Sequence, residues 1–322
     1  QSRNSSRGVY RSFKNQKRIN TGLMKDYSIV ISTFYPGDII KKCLEHLPDD
    51  QEILIIDNGN DEKLRDNLSK IRKKIFYHNI GDVGISKSLN YAVSKCSNNY
   101  IFITQPDVVI TTDSIIKLIE AAEKYENTGI LSPITSDNGK YSRFDHYELK
   151  ISNKGKVLDN KKNNFSLLEP EGDICVEAVN STALLVKKDI IEKIGKWDDN
   201  IYTYLEDIDI CVRLRLKGYQ ILKIPAAKAH HIGFASHEKK NHNQHELLRN
   251  WHFCWSSIYF KKKHCEKKEF FLFFTNLFIK SLLKTFVNLV LFRINKFKIN
   301  FIKLRACISF LFIKKSNFRR II

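Results

Sequence analysis

In the first third of the sequence, an aspartate lies at or just after the end of each of two short apolar runs. Asp57 closes one of these runs, and Asp107 follows another across Pro106. Proline disfavours helical geometry in the residue before it, so we expect the chain to stay extended here and to carry Asp107 beyond its strand. Either aspartate alone could simply cap a turn. Two carboxylates at neighbouring strand ends, with Thr33 and Tyr35 at a third, favour a nucleotide site instead.

Two further features later in the chain could carry chemistry. Glu206 and Asp207 are adjacent acids in the first turn of a helix predicted over 205–216, which a glycine follows closely. Acids in a first turn favour the helix dipole and need no other role. His230 and His231 follow a strand-like run and are expected to begin a loop. A lone histidine there is more often structural than a ligand, and the doublet favours a ligand.

The elements that must position these residues alternate along the chain. Apolar runs over 27–33, 52–57, 75–79, 99–104 and 174–188 predict strands, and patterns over 38–47 (with Asp38 as N-cap), 64–74, 83–96 and 112–125 predict helices. Strands separated by such helices imply right-handed βαβ units and an α/β fold with a mostly parallel sheet. Ligands collect at the carboxyl ends of strands in these sheets. Neither GxGxxG nor GxxxxGK[ST] occurs, which excludes a Rossmann dinucleotide site and a P-loop.

The net charge of +19 is carried by the two ends of the chain. Residues 1–23 sum to +6, residues 261–322 to +14, and the residues between them to −1. A nucleic-acid-binding protein would interleave basic and aromatic residues across its core, so this distribution argues against a nucleic-acid partner. The seven cysteines include no CxxC pair. They argue against a disulfide framework and a structural zinc site, and they suit a reducing compartment.

Residues 1–23 are polar and basic, without the apolar stretch of a signal peptide. Met24, the one methionine of the chain, stands just before the first predicted strand. We therefore expect 1–23 to be a basic tail outside the native fold. The alternative is a basic arm that touches a membrane.

The last sixty residues are apolar and basic. The segment 269–292 has no uninterrupted apolar run near the ~20 residues that a membrane span needs, and 299–315 is similar. A polar stripe recurs every four residues in the first segment: Asn276, Lys280, Lys284 and Asn288. These features predict amphipathic helices that lie in the interface of an anionic membrane. The alternative is packing on the rest of the protein or on a second copy, which leaves a homo-oligomer open.

Taken in order, the segments resemble family 2 glycosyltransferases of the GT-A fold, in particular rhamnosyltransferase-like members of bacterial surface-polysaccharide clusters. The matching segments are VISTFYP (30–36), IIDNG (55–59), NIGDVGISKSLNYA (79–92), TQPDVVI (104–110), VNSTALLVKK (179–188), GKWDDNIYTYLEDIDICVRLRLKGY (195–219) and HHIG (230–233). In addition, RNWHFCWSSIYFKKK (249–263) is similar to the family's segment leading into a membrane-associated tail.

The resemblance implies a role for each matched residue. Asp207 would be the catalytic base, with Glu206 beside it on the acceptor. Asp107 and His231, with His230 as second choice, would hold a divalent cation, Mg²⁺ or Mn²⁺. Many relatives have two acids in the metal motif, whereas this chain has only Asp107, which implies weaker metal binding. The remaining implied contacts are Thr33, Tyr35, Asp57, Asn79, Gly81, Asn90 and Asp107 for the nucleotide sugar, and Trp197, Asp198 and Glu206 for the acceptor.

The implied activity is inverting transfer of a sugar, rhamnose by overall resemblance, from a nucleoside diphosphate sugar to a lipid-linked or polysaccharide acceptor. The setting would be cell-surface glycan synthesis, such as O-antigen, at the cytoplasmic face of the bacterial inner membrane. We predict a GT-A catalytic domain over 24–240 and a basic, amphipathic, membrane-associated helical region over 241–322. The alternatives are a nucleotidyltransferase on a similar fold and an inactive, membrane-bound assembly partner, against which the intact acids argue.

Overall fold

The computed structural model describes residues 26–71, 73–137, 140–141, 146–158, 170–232, 242–312 and 316. These residues form a mixed α/β fold around one large sheet, followed by three long helices. The predictions for 1–23 and for Gly233 lie outside the described residues.

The strands are β1 (Tyr27–Thr33), β2 (Glu52–Asp57), β3 (Ile75–Asn79), β4 (Tyr100–Thr104), β5 (Val108–Ile110), β6 (Thr128–Asp137), β7 (Lys140–Tyr141), β8 (His146–Tyr147), β9 (Lys150–Ile151), β10 (Val157–Leu158), β11 (Ile174–Cys175), β12 (Ala178–Val179), β13 (Ala183–Lys187) and β14 (Gln220–His231). The helices are α1 (Ile39–Glu45), α2 (Glu62–Leu68), α3 (Ile85–Lys95), α4 (Thr112–Lys124), α5 (Lys188–Lys193), α6 (Glu206–Leu216), α7 (His242–His264), α8 (Lys267–Val290) and α9 (Ile294–Phe312).

The large sheet is mostly parallel, as the alternation of strands and helices predicts. Its strand order is β11-β14-β6-β13-β4-β1-β2-β3, with β5 paired to β14 and β7 to β6. The parallel half, β4-β1-β2-β3, comes from the contiguous βαβ units at the start of the chain. Only β13 interrupts the common direction between β4 and β6, because it runs antiparallel to both.

The central strands β1 and β2 are buried on both faces, and their apolar residues occupy consecutive positions rather than alternate ones. Val30 and Leu54 face a core that includes α3 and α6, whereas Ile29 and Ile55 face a core that includes α1 and α4. All four side chains are at most 1% exposed. Burial of each contributes roughly 1.5–3 kcal/mol, so both helix layers are held firmly against the sheet that carries the site.

Three local predictions differ from the structure. The run 174–188 forms three separate strands rather than one. The helix predicted over 64–74 is instead α2, which starts earlier because the side chain of Asp61 accepts a hydrogen bond from Leu64 N at 3.1 Å. Asp38 forms no side-chain cap on α1 and pairs with Lys41 at 2.7 Å.

The helices α7, α8 and α9 form a separate apolar cluster, with Trp251, Trp255 and Cys307 among its buried side chains. The arrangement of α8 is inverted relative to a soluble helix. Its buried residues are the small or polar Ser281, Thr285 and Asn288, while its exposed surface is rich in leucine and phenylalanine. The predicted polar stripe is therefore not one exposed face, since Asn288 is buried.

Among the described residues, one helix, α8, is long and apolar enough to cross a membrane by length and composition. Its most apolar 18-residue window has a mean hydropathy of 1.5 and is 11% buried. The sequence prediction found no run of spanning length because Lys280 and Lys284 interrupt it.

Candidate active site

The carboxyl ends of β1, β2 and β3 form one row. Thr33 lies opposite Asp57, and Asp57 lies opposite Asn79. Thr33 Oγ1 is buried and has no hydrogen-bond partner among the described residues. Tyr35 has a left-handed backbone (φ +46°) and is 42% exposed, and its ring lies so close to Gly59 that a side chain there would meet it at 3.0 Å. The row offers an unused hydroxyl and an exposed aromatic ring.

Asp57 occupies the middle of this row but is fully buried. Its Oδ1 accepts a hydrogen bond from Gly59 N at 2.7 Å, and its Oδ2 accepts from Asp61 N and Tyr77 Oη, each at 2.7 Å. These bonds build the turn after β2, which is the alternative role that the sequence left open. Both carboxylate oxygens are used within the protein, and the contact of Asp57 with a nucleotide sugar stays a prediction.

The turn after β3 leads into α3. Asn79 Oδ1 accepts from Gly81 N at 3.0 Å, and Gly81 has φ +68°, a conformation that favours glycine. Gly84 follows with φ +84°, and a side chain there would meet Tyr202 at 2.4 Å. Because Ile85 N also donates to Tyr202 O at 2.8 Å, this turn is packed against the segment that precedes α6.

His231 lies between two aspartates. Contrary to prediction, both histidines are strand residues rather than the start of a loop, because β14 pairs with β5 and β6 up to its end. His231 Nε2 lies 3.4 Å from Asp107 Oδ2, and its Nδ1 lies 2.9 Å from Asp137 Oδ1. The hydrogen bond to Asp107 raises the pKa of His231; burial opposes this, and Asp137 adds to it. His230 instead contacts Ser136 Oγ through Nδ1 at 3.2 Å.

Asp107 and His231 fit a divalent cation as a pair of donors. Asp107 lies in a turn rather than in extended chain, since Val108 N donates to Gln105 O at 3.2 Å. A carboxylate oxygen and an imidazole nitrogen 3.4 Å apart can both reach one metal ion at ~2.1 Å. No group of three His, Cys, Asp or Glu side chains suited to a metal occurs within the described parts of the chain. Water and ligand oxygens would have to supply the remaining positions.

Glu206 and Asp207 begin α6 and differ in exposure. Glu206 is 5% exposed; its Oε1 accepts from Ser181 Oγ at 3.5 Å, and its Oε2 has no partner among the described residues. Asp207 is half-buried. Its Oδ2 accepts from Ser181 N at 3.1 Å, and its Oδ1 accepts from Ile208 N at 2.8 Å. Asp207 is the better satisfied of the two and the one that a ligand can reach.

The surroundings of Glu206 and Asp207 affect the pKa values of the two carboxyl groups differently. Burial raises the pKa of Glu206, and the adjacent charge of Asp207 raises it further. Burial also raises the pKa of Asp207, but its backbone hydrogen bonds favour the ionised form. Glu206 is more deeply buried than Asp207 and has one carboxylate oxygen without a partner among the described residues, so its surroundings favour its ionised form less than those of Asp207 do. Burial and then these two charges raise the pKa of Tyr147, so its phenol lies near the pair.

The acid pair and the Asp107–His231 pair lie at the same edge of the sheet. Ala183, the first residue of β13, is in register with Thr104, the last residue of β4. Thr104 Oγ1 also donates to Thr182 O at 3.3 Å. Ser181, which binds Asp207, directly precedes this contact, and Asp107 follows Thr104 by one short turn. The structure thus brings together residues that are about a hundred positions apart.

Asn90, Trp197 and Asp198 lie elsewhere. Asn90 holds the loop before α6, since its amide donates to Trp197 O at 2.9 Å and accepts from Trp197 N at 2.9 Å. Trp197 is 2% exposed, and Asp198 shares Lys263 with Asp209. Residues two apart on a helix project about 200° apart, so Asp209 and its partners lie on the opposite side of α6 from Asp207. The structure joins these residues to one another and to α7. The contacts of Asn90 with the nucleotide sugar and of Trp197 and Asp198 with the acceptor stay predictions.

Several residues at the site carry no signal in the sequence. Asp137 beside His231, Ser181 beside the acid pair and Tyr147 near it are all brought in by long-range strand pairing. Ser181 does lie inside the segment VNSTALLVKK, but nothing in that pattern indicates its backbone N–H as the partner of Asp207.

Comparisons with known proteins agree with this geometry. The family model of glycosyl transferase family 2 matches residues 28–190. The rhamnosyltransferase WbbL of Escherichia coli K12 is 25% identical over 228 residues, which cover 67% of this chain and 85% of that protein. The dTDP-rhamnosyl transferase RfbF of Shigella flexneri is 25% identical over 186 residues, which cover 56% of this chain and 60% of that protein.

Two solved structures share the fold. The mannosyltransferase PcManGT from Pyrobaculum calidifontis, in complex with GDP-Man and Mn²⁺, has a TM-score of 0.51 at 10% identity and covers 96% of this chain and 95% of its own. GalNAc-T7 with UDP, GalNAc and Mn²⁺ has a TM-score of 0.50 at 12% identity, with 77% and 56% covered. The fold is that of GT-A glycosyltransferases. Because the family model spans half of the chain, this protein belongs to glycosyl transferase family 2 and is a rhamnosyltransferase-like glycosyltransferase.

Proposed function

We propose that this chain is an inverting glycosyltransferase that moves a sugar from a nucleoside diphosphate sugar to a hydroxyl group of a lipid-linked glycan. The observation that carries the proposal is the half-buried Asp207 at the start of α6, at the same sheet edge as Asp107 and His231. In this proposal a proton acceptor and a pair of cation ligands share one edge of the sheet. Both are needed when a hydroxyl displaces a diphosphate.

Asp207 acts as the general base in this proposal. It takes the proton of the acceptor hydroxyl while the hydroxyl oxygen attacks the anomeric carbon on the face opposite the diphosphate. The bond from that carbon to the diphosphate oxygen breaks, the nucleoside diphosphate leaves, and the configuration inverts. Glu206 is buried beside Asp207 in the sequence. After the transfer Asp207 releases the acceptor proton to water, which restores its carboxylate for the next turnover.

Asp107 Oδ2 and His231 Nε2 would hold a divalent cation, Mg²⁺ or Mn²⁺. When bound, the cation supplies positive charge that stabilises the leaving diphosphate. Asp137 contacts the other ring nitrogen of His231 at 2.9 Å, which fixes the orientation of the ring toward Asp107. The Mn²⁺ in both structural neighbours supports this assignment.

The nucleoside would lie along the row of strand ends. The exposed ring of Tyr35 would offer a stacking surface, and the turn from Asn79 to Gly81 would offer hydrogen bonds, while Thr33 is buried beside them. Rhamnose is the sugar that two relatives carry in their names, and one of them names dTDP. These names support dTDP-rhamnose as the donor in this proposal.

The surface of the C-terminal helices supports attachment to a membrane. Leu283, Phe286 and Phe292 are 58%, 65% and 85% exposed, whereas Ser281 and Thr285 are buried against the neighbouring helices. Water favours the opposite arrangement, and small residues between helices with apolar residues outside are typical of helices in lipid. Basic residues 280, 284, 293, 296 and 298 are exposed in the same part of the chain and would face anionic headgroups.

The cytoplasmic face of the bacterial inner membrane is the location that these features favour. The seven cysteines include no CxxC pair, a pattern that suits a reducing compartment. Peripheral attachment there would hold the site close to a lipid-linked acceptor in surface-glycan synthesis.

The transfer reaction is tested with the full chain, a panel of dTDP-, UDP- and GDP-sugars, and a lipid-linked acceptor in vesicles. We expect a free nucleoside diphosphate and a glycosylated lipid, with the new linkage opposite in configuration to the donor. Free pyrophosphate would identify a nucleotidyltransferase instead. No product with any donor would favour the inactive assembly partner.

Membrane attachment is tested by sedimentation with phosphatidylglycerol or phosphatidylcholine vesicles. The double variant Leu283→Gln and Phe286→Gln should bind at least ~100-fold more weakly, since each side chain buried in lipid contributes roughly 1.5–3 kcal/mol. Phe76→Gln is the control, because Phe76 is 44% exposed on the edge strand of the sheet. Unchanged binding by the double variant, together with a dimer in solution, would instead indicate that a second copy covers this surface.

A further inference from the structure

A buried ion cluster joins α6 to α7. Asp209 has no exposed surface. Its Oδ2 accepts from Arg213 Nε at 2.8 Å, and its Oδ1 lies 2.6 Å from Lys263 Nζ and 2.7 Å from His264 Nε2. Burial would raise the pKa of Asp209, but the hydrogen bond with His264 and the charges of Arg213 and Lys263 outweigh it and lower the pKa to about 2. The carboxylate therefore stays ionised although it is buried.

The cluster is one end of a longer contact along α7. Four α7 residues with helical spacing, 252, 256, 259 and 263, share one face and contact the segment 198–209. The contacts are the ring of His252 stacked on Tyr202 at 4.5 Å, Ser256 Oγ donating to Thr203 O at 2.8 Å, Tyr259 Oη donating to Asp198 Oδ2 at 2.9 Å, and Lys263 Nζ 2.6 Å from both Asp198 and Asp209. This polar face of α7 thus packs along the segment that leads to Glu206 and Asp207.

The chain at this point needs outside support. Tyr204 and Leu205, directly before the acid pair, both have φ +66°, which is unfavourable for residues other than glycine. Such a conformation persists only where the surrounding structure holds it. Moreover, α6 has no side-chain N-cap. Its first turn is therefore held by Ser181 on one side and by α7 on the other.

We propose that Asp209 is a positioning residue for sugar transfer, and that its bonds to Lys263 and His264 of α7 fix the first turn of α6 so that Asp207 stays at its hydrogen bond to Ser181 N. This inference rests on the proposed role of Asp207 as the base. A misplacement of about 1 Å in a reacting group can lower turnover by ~100-fold. The helix α7 thus belongs to the catalytic apparatus as well as to the C-terminal helices.

The test compares Lys263→Met with Lys262→Met. Asp209→Asn would leave the cations Arg213 and Lys263 without their shared buried carboxylate and could fail to fold, so the partner is changed instead. Lys262 is the next residue of α7, is exposed, and has its Nζ 5.4 Å above the ring of Phe310. Both variants remove one positive charge from the same helix turn, but only Lys263→Met breaks the cluster.

We expect kcat of Lys263→Met to fall ~10- to 100-fold, with the donor KM and the calorimetric stoichiometry of donor binding within about twofold of wild type. Lys262→Met should match wild type. Equal kcat in the two variants, or donor binding lost in parallel with kcat, would overturn the inference. An active Asp207→Asn would overturn the proposed base instead, so the two failures can be told apart.

Discussion

Replacing Asp207 by Asn tests the proposed base directly, because the change removes a proton acceptor and keeps the shape of the side chain. We expect kcat to fall by roughly 100-fold or more, with donor affinity nearly unchanged, because the proton moves only on the way to the transition state. A loss of that size corresponds to about 2.7 kcal/mol of transition-state stabilisation.

The cost in stability can be worked out from the contacts of Asp207. Its two backbone hydrogen bonds, from Ser181 N and Ile208 N, each contribute roughly 1.5–3 kcal/mol when the acceptor is charged. An Asn side chain keeps one acceptor oxygen, so about one of these bonds is lost. The favourable interaction of the acid with the helix dipole, roughly 0.3–1 kcal/mol, is lost too. Removing a buried charge beside Glu206 offsets part of the loss. We expect a net loss of at most about 2 kcal/mol.

The assay measures sugar transfer to a lipid-linked acceptor in vesicles, with donor binding by calorimetry and a melting curve for each variant. Asp113→Asn is the matched control, since Asp113 is also a first-turn acid, on α4, and pairs with Lys117 at 2.6 Å. It should lose a similar interaction with its helix dipole and keep full activity.

A kcat of Asp207→Asn within about threefold of wild type would refute the assignment. Glu206→Gln tests whether Glu206, rather than Asp207, is the base. It should lose less than Asp207→Asn, because Glu206 is 5% exposed and is less accessible to an acceptor than Asp207. The reverse order of losses would make Glu206 the base.

Three further outcomes follow from the geometry. Burial raises the pKa of Asp207. In a pH profile, kcat/KM should therefore begin to fall on the acidic side at a pH above ~3.9, the ordinary pKa of an aspartate. A fall that begins only at the ordinary value would contradict the burial of the base. Asp107→Asn should weaken donor binding with Mn²⁺ but not with a chelator, as measured by calorimetry, and a wild type indifferent to metal would contradict the cation role. Gly81→Ala should destabilise the fold by about 1 kcal/mol because of its positive φ. Gly84→Ala should cost about 3 kcal/mol, because its side chain would also meet Tyr202; equal losses on urea unfolding would show that the contact with Tyr202 is not tight.

The parallel half of the sheet could be predicted from the sequence because its determinants are local. The strands β1 and β2 have the predicted bounds, since each is an apolar run ended by a turn residue. The pairing of β14 with β5 could not be predicted, because it joins residues more than a hundred positions apart. For that reason His230 and His231 were expected in a loop although they lie in a strand.

The candidate site was predictable in its residue types more than in its contacts. The spacing around α6 was sufficient to put Glu206 and Asp207 in a first turn. Residue type did not separate Asp57, whose oxygens accept three hydrogen bonds from its own turn and from Tyr77, from Asp107, which faces His231. Which way Trp197 and Asp198 point depends on α7, which the local pattern does not describe.

The polar stripe of α8 shows a purely geometric limit. Side chains four apart on an α-helix are displaced by about 40° at each step, so a stripe with this period winds around the helix. Lys280 and Lys284 accordingly remain exposed, whereas Asn288 is buried and bonds Lys284 O on its own helix at 2.6 Å. A period of four therefore does not define one face over a helix of this length.

The ion cluster around Asp209 has a consequence for the order in which the protein folds during its synthesis. A nascent chain can assemble the contiguous strands β1 to β4 early, since N-terminal parts fold first during synthesis. Asp207 emerges from the ribosome later, and Lys263 and His264 emerge later still. Only two residues separate His264 from the start of α8 at Lys267. If α7 must dock before Asp207 is in place, an unfinished polypeptide cannot consume its donor. Catalytic competence would then arise at the same moment as the helices that bring the enzyme to its acceptor.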